Sequence, residues 1–124
     1  MAVRSVAIVS VPVSDPDRAK AFYTDVLGLS VKEDQPMGDS MRWLRLATPE
    51  GEATITLVTW FPSMPPGSTK GLLLRVDDLD AMVARLAEND VPTANGIETA
   101  PWGRYVQIDD PDGNGLVLQQ PISD

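Results

Sequence analysis

One local pattern is written twice along this chain. Val6 to Val13 is an apolar, β-branched run; Ser14-Asp15-Pro16 follows, and then Ala19, Phe22, Tyr23 and Val26 recur at helical spacing. Leu72 to Val76, Asp77-Asp78 and the series Leu79, Met82, Val83, Leu86 repeat the plan, with Asp78 standing 63 residues after Asp15 in a chain of 124. Duplication at half the chain length restricts the possible folds sharply. Each half must build a small sheet and a helix, yet neither is long enough to bury a good core alone. The halves therefore share one core, and a groove for a ligand falls between them.

Within each repeat the elements are legible. Asp15 reads as a helix N-cap, Pro16 as the first helical residue, and Asp17 favours the positive end of the helix dipole. The helix runs from Pro16 to Leu27, where Gly28 supplies a left-handed stop. Strands follow at about 29–33, 41–47 and 53–60, separated by Gly38 and by the turn Pro49-Glu50-Gly51. In the second repeat Leu72 to Val76 is a strand and Leu79 to Leu86 a helix. Further strands are expected at 92–97, 104–109 and 115–119. Val6 to Val13 reads as a strand buried on both faces. Each half is thus β-α-β-β-β, in a single α+β domain over 1–124. Module one covers about 1–60, a proline-rich linker 61–70, and module two about 71–124.

Composition narrows the chemistry. With 43% hydrophobic and 23% charged residues the chain is of ordinary globular type. No apolar run approaches the roughly 18 residues needed to cross a membrane, and the opening residues do not form a secretion signal. The absence of cysteine excludes disulfides and thiolate metal sites, and a cytoplasmic location is the expectation. A formal net charge of −8 argues against nucleic acid as a partner. The absence of histidine removes the commonest general base near neutral pH, the commonest metal ligand and every His-dependent triad.

Val13-Ser14-Asp15, Ala21-Phe22-Tyr23 and Val26-Leu27-Gly28 resemble the opening signature of the vicinal oxygen chelate superfamily, which includes glyoxalase I, extradiol dioxygenases, and the fosfomycin- and bleomycin-resistance proteins. Asp110-Pro111-Asp112-Gly113-Asn114 is similar to the turn before that family's last strand. The resemblance spans nearly the whole chain. It implies two βαβββ modules forming a curved mixed β-sheet around a cavity, usually in a homodimer. It also implies four metal-ligand positions, which fall here on Ile8, Thr56, Gly71 and Val117. Divalent ions take imidazole, carboxylate or carbonyl donors, and Ile, Gly and Val side chains offer none. The resemblance thus points to a metal-free type, without the Lewis-acid chemistry of the metal-dependent enzymes.

Strand alternation extends these positions into a lining. Ile8, Thr56, Trp60, Arg75, Val117 and Gln119 share the expected groove with Trp43, Arg45, Tyr105 and Gln107, whereas Leu44, Leu46, Val106 and Ile108 face the core. Such an apolar, aromatic groove with a few polar groups suits a planar or partly apolar organic ligand. Each group has a second reading. Trp43, Trp60 and Tyr105 equally suit a dimer interface; Arg45 and Arg75 suit salt bridges, or, if they face a ligand, an anion. Asp15, Asp77, Asp78, Asp109, Asp110 and Asp112 read as caps and turn residues.

These features lead to a metal-independent small-molecule-binding protein, a homodimer that sequesters an antibiotic or metabolite without a cofactor. The alternative is a metal-free lyase, isomerase or cyclase using Arg, Tyr and carboxylate groups of the same cavity, so whether the chain is an enzyme stays open.

Overall fold

The computed structural model describes residues 2–38, 41–51 and 53–122. The first repeat forms β1 (Ile8–Pro12), α1 (Pro16–Ala21), β2 (Ser30–Met37), β3 (Met41–Ala47) and β4 (Thr54–Val58). The second forms β5 (Leu72–Arg75), α2 (Leu79–Glu88), β6 (Glu98–Ala100), β7 (Gly103–Asp109) and β8 (Gly115–Pro121). Each repeat closes its own four-stranded mixed sheet, in the orders β1-β4-β3-β2 and β5-β8-β7-β6. The outer pairs β1–β4 and β5–β8 are parallel and the remaining pairs antiparallel. The duplication in sequence is therefore a duplication of topology.

Both helices begin as the capping residues require. The Asp15 carboxylate accepts from the Asp17 and Arg18 amides at 3.1 and 3.3 Å, and that of Asp78 from the Ala81 amide at 3.0 Å. α1 continues into a wider, π-helical turn over Phe22–Val26, in which the Leu27 amide reaches back to the Phe22 carbonyl. That turn lets Phe22, Tyr23, Val26 and Leu27 all bury themselves before Gly28, at φ +83°, ends it. α2 ends at Asn89, followed by Asp90 in the left-handed region at φ 59°.

The shared core lies where both sheets present their helix-bearing faces. Val11, Leu44, Leu46, Ile55 and Leu57 of the first sheet join Val106, Ile108, Leu116 and Leu118 of the second, with Ala19, Tyr23, Leu79 and Leu86 from the helical segments. Two expectations fail in detail. β1 is an edge strand whose start is uncovered, with Val6 62% and Ile8 41% exposed, so it is not buried on both faces. The sixth strand lies at Glu98–Ala100 and not at 92–97. Pro92 and the Asn95-Gly96 turn hold that stretch irregular, and only the Ala94 amide reaches the Gln107 carbonyl.

The two modules are joined by a buried polar knot. Tyr23 donates its hydroxyl to Asp110 Oδ2 at 2.8 Å, and the Asn114 amide group donates to the Pro12 carbonyl and to Asp110 Oδ2, both at 2.8 Å. The linker is drawn into the same knot. The Thr69 amide donates to Asn114 Oδ1, the Gly115 amide to the Thr69 carbonyl, and Lys70 Nζ to the Gly113 carbonyl. Asp110 and Asn114 are thus structural, as their turn signature suggests.

Candidate functional site

Each sheet has one face on the core and one turned away from it, and the residues expected in the groove lie on the faces turned away. On the first sheet the register aligns Ser10 with Thr56, Thr56 with Arg45, and Arg45 with Glu33, one residue from each strand. On the second it aligns Arg75 with Gln119, Gln119 with Tyr105, and Tyr105 with Glu98. Because side chains alternate along a strand, each aligned set forms a polar row across one face. The two rows run across corresponding strands but not corresponding positions, because the repeat counterparts of Ser10, Thr56 and Arg45 are Leu73, Val117 and Gln107.

The first row is closely bonded. Ser10 Oγ and Thr56 Oγ1 share a hydrogen bond at 3.1 Å. Arg45 Nε donates to Glu33 Oε1 at 2.8 Å, and Trp43 Nε1 donates to the same oxygen at 2.6 Å. The Trp43 and Arg45 hydrogen bonds hold the Glu33 carboxyl below its ordinary pKa, so it stays ionised. Thr56 is buried at 1% exposure and its hydroxyl is engaged, which leaves half-buried Ser10 as the outer hydroxyl of the pair. Ile8 borders this face on the edge strand, and Trp60 lies beyond the end of β4, its ring 5.8 Å from that of Phe61.

Glu33 reaches this face through a β-bulge. Val31 lies opposite Leu46 and Glu33 opposite Arg45, so Lys32 is the extra residue. Regular pairing onward from Val31 would set Lys32 opposite Arg45, two cations side by side, and Glu33 opposite the core residue Leu44. The bulge exchanges that repulsion for an ion pair and re-aims the carboxylate. In sequence Glu33 and Asp34 read only as a short charged strand end, so Glu33 is absent from the expected lining.

The second row is looser. Tyr105 stacks on Trp102, with ring centroids 5.0 Å apart and planes at 26°, and Gln119 Nε2 donates to the Trp102 carbonyl at 3.3 Å. Trp102, 47% exposed, was not among the expected residues; its place beside the Pro101-Gly103 turn gave no periodic signal. Val117 is aligned with both Leu73 and Gln107 on this face. An open cavity of about 780 Å3 lies at one end of the second sheet. It is bordered by Phe22, Gly71, Val91, Pro92, Gln107 and Val117, among others. Of the ten expected residues it takes in Gln107 and Val117.

The structure thus brings Trp43, Arg45 and Thr56 together on one face, with Ile8 at its margin. It brings Arg75, Tyr105, Gln107, Val117 and Gln119 together on the other. Among the described residues no hydrogen bond, ion pair or aromatic contact joins the two sets. Arg45 is ion-paired to Glu33, the salt-bridge reading of that residue. The Arg75 side chain has no hydrogen-bond partner among the described residues.

The four positions of a family metal site are Ile8 and Thr56 on the first sheet and Gly71 and Val117 on the second. Their one side-chain oxygen, Thr56 Oγ1, is buried and bonded to Ser10, so this donor set does not fit a divalent ion. Among the described residues no three Asp, Glu, His or Cys side chains gather where they would hold one elsewhere. No helix is long and apolar enough to cross a membrane.

Paired four-stranded mixed sheets, repeated topology and open faces with polar rows define the class. The chain belongs to the Glyoxalase/Bleomycin resistance protein/Dioxygenase superfamily, whose family model matches residues 5–118. Among solved structures it is similar to TnmS3, an antibiotic-binding protein from Streptomyces sp. CB03234, with 48% identity, 98% of this chain and 99% of that one covered, and a TM-score of 0.91. A glyoxalase/bleomycin resistance protein from the same Streptomyces strain is 49% identical, covering 94% of this chain and 100% of the other, with a TM-score of 0.84. The uncharacterized protein YetH of Bacillus subtilis (strain 168) is 30% identical over 95% of this chain and 99% of its own.

Proposed function

We propose that this protein binds a small organic molecule, an antibiotic or a related metabolite, and protects against it or carries it without metal chemistry. The observation that carries the reading is the extensive similarity to an antibiotic-binding protein, 48% identical with a TM-score of 0.91. The site residues agree with it. The open faces offer aromatic surface (Trp43, Tyr105 stacked on Trp102) beside hydrogen-bonding groups, the mixture that organic ligands require.

The binding unit in this reading is a homodimer, with the first open face of one chain meeting the second open face of its partner. Three features support it. Among the described residues the two rows share no hydrogen bond, ion pair or aromatic contact within one chain. The edges β1 and β5 each pair on one side only, leaving backbone donors and acceptors for another strand. Ile8 and Leu73, beside those edges, are 41% and 47% exposed.

Thermal-shift measurement against a panel of natural products tests the binding reading. Hits should raise the melting temperature with increasing ligand, as mass action requires. A panel without a single binder at high micromolar concentration refutes it. Light scattering on the eluting protein tests the dimer, and a mass near the 13.4 kDa of one chain at micromolar concentration would exclude it.

A further inference from the structure

We propose that Glu33 sets the ligand charge class of the first open face, so that the face selects uncharged planar aromatic molecules carrying carbonyl oxygens and rejects carboxylates. The inference rests on the binding reading above and goes beyond it by naming the ligand class and the residue that decides it.

Geometry carries the argument. One oxygen of Glu33 takes both the Arg45 Nε and the Trp43 indole N–H, so a single carboxylate fixes a guanidinium plane and an indole ring on the same face. The two Arg45 Nη groups have no protein partner among the described residues and remain as donors. Trp43 beside them offers a flat apolar surface, and both side chains are partly exposed. A planar ring stacked on Trp43 would place a rim oxygen within reach of those donors.

Charge then decides what the oxygen belongs to. An unpaired arginine on an aromatic face would attract a carboxylate, the ligand that the sequence favours only if Arg45 is free of a salt bridge. Here the guanidinium is already ion-paired at 2.8 Å. An incoming carboxylate would give up its hydration to meet a guanidinium already paired with Glu33, with the Glu33 carboxylate beside it. A ketone or quinone oxygen accepts the same hydrogen bonds without that desolvation. The second row holds Arg75 and Glu98 at its two ends, so it adds no net charge when the faces are opposed. The bulge at Lys32 is an independent sign of purpose. The chain interrupts regular pairing at the one place that turns Glu33 toward Arg45.

The test uses two probes with one ring system, 2-acetylnaphthalene and 2-naphthoate, titrated calorimetrically into the full-length protein and into Glu33→Gln. Gln keeps an oxygen for Arg45 and Trp43 but not the charge, and matched melting curves verify the fold. The unsubstituted protein should bind the ketone at least about ten-fold tighter. Glu33→Gln should tighten 2-naphthoate about ten-fold, with the ketone changed less than about three-fold. Adding Arg45→Met should remove that gain. A preference for naphthoate in the unsubstituted protein, or an unchanged ratio in Glu33→Gln, overturns the proposal and leaves the binding reading standing. Failure of both probes while the natural-product panel yields binders also overturns it alone. Failure of probes and panel together overturns both.

Discussion

Replacing Tyr23 by Phe removes one hydroxyl from the knot that joins the modules, and its consequence can be worked out from the geometry. The ring stays: Tyr23 is fully buried and packs edge-on against Phe22 at 5.3 Å and 86°, contacts that Phe reproduces. The lost interaction is the 2.8 Å bond to Asp110 Oδ2. Asp110 keeps three other donors, the Asp112 amide, the Asn114 amide and Asn114 Nδ2, so the carboxylate is weakened and not abandoned. A buried bond to a charged acceptor contributes about 1.5–3 kcal/mol, and the expected loss is about 2 kcal/mol. For a chain of this length that is a fall in melting temperature of about 6–10 °C.

The same group governs alkaline stability. Burial first, and then the Asp110 charge, push the Tyr23 hydroxyl well above the usual tyrosine range. The unfolded chain therefore releases this proton from about pH 10 upward while the folded chain retains it. Stability is full below about pH 10 and falls by about 1.4 kcal/mol per pH unit above it. Tyr23→Phe should remove that part of the slope. Urea unfolding at fixed protein concentration, repeated from pH 7 to 11, measures both effects. A loss below about 0.5 kcal/mol at pH 7 with an unchanged alkaline limb would refute the assignment of this bond as a major tie.

Acid should act at a different place. Arg42 first, and then Lys20, hold the Asp34 carboxyl well below the ordinary carboxylate range. Its stabilisation is present above the unfolded value near about pH 4 and lost as pH falls below it, so Asp34→Asn should flatten the acid limb of the stability curve. Glycine conformations separate two causes of strain in the linker knot. Gly67, at φ +86°, would press an added Cβ into the Asp112 carbonyl, whereas Gly113, at φ +90°, faces open space. Gly113→Ala should cost about 1 kcal/mol from conformation alone, and Gly67→Ala clearly more, both read by urea titration. Equal costs would show that linker contact with the turn is unimportant.

Much of the architecture can be read before any coordinates, because it depends on local rules. Asp15, Asp78 and Gly28 act through backbone geometry within a few residues, so helix ends follow from residue type and position. Leu44 with Leu46 and Val106 with Ile108 alternate at period two, which assigns them to the core without knowledge of what covers them. The duplication itself requires equivalent sheets. It also fixes which residues stand at the family's four ligand positions, and the side chains of Ile8, Gly71 and Val117 carry no donor atom.

The open faces obey different rules. Glu33 joins Arg45 because pairing Lys32 with Arg45 is unfavourable across two strands, an energy that exists only once β2 and β3 have met. Thr56 passes from expected lining to a buried partner of Ser10 because β1 lies beside β4, 46 residues away in sequence. Trp102 joins Tyr105 through a turn that carries no periodicity. Sequence alone indicates the repeated topology, the helix starts, the core faces and the lack of side-chain donors at three of the four ligand positions, since each depends on near neighbours or on side-chain chemistry. Tertiary structure decides which polar groups pair and what charge a face presents, since these depend on register between distant strands.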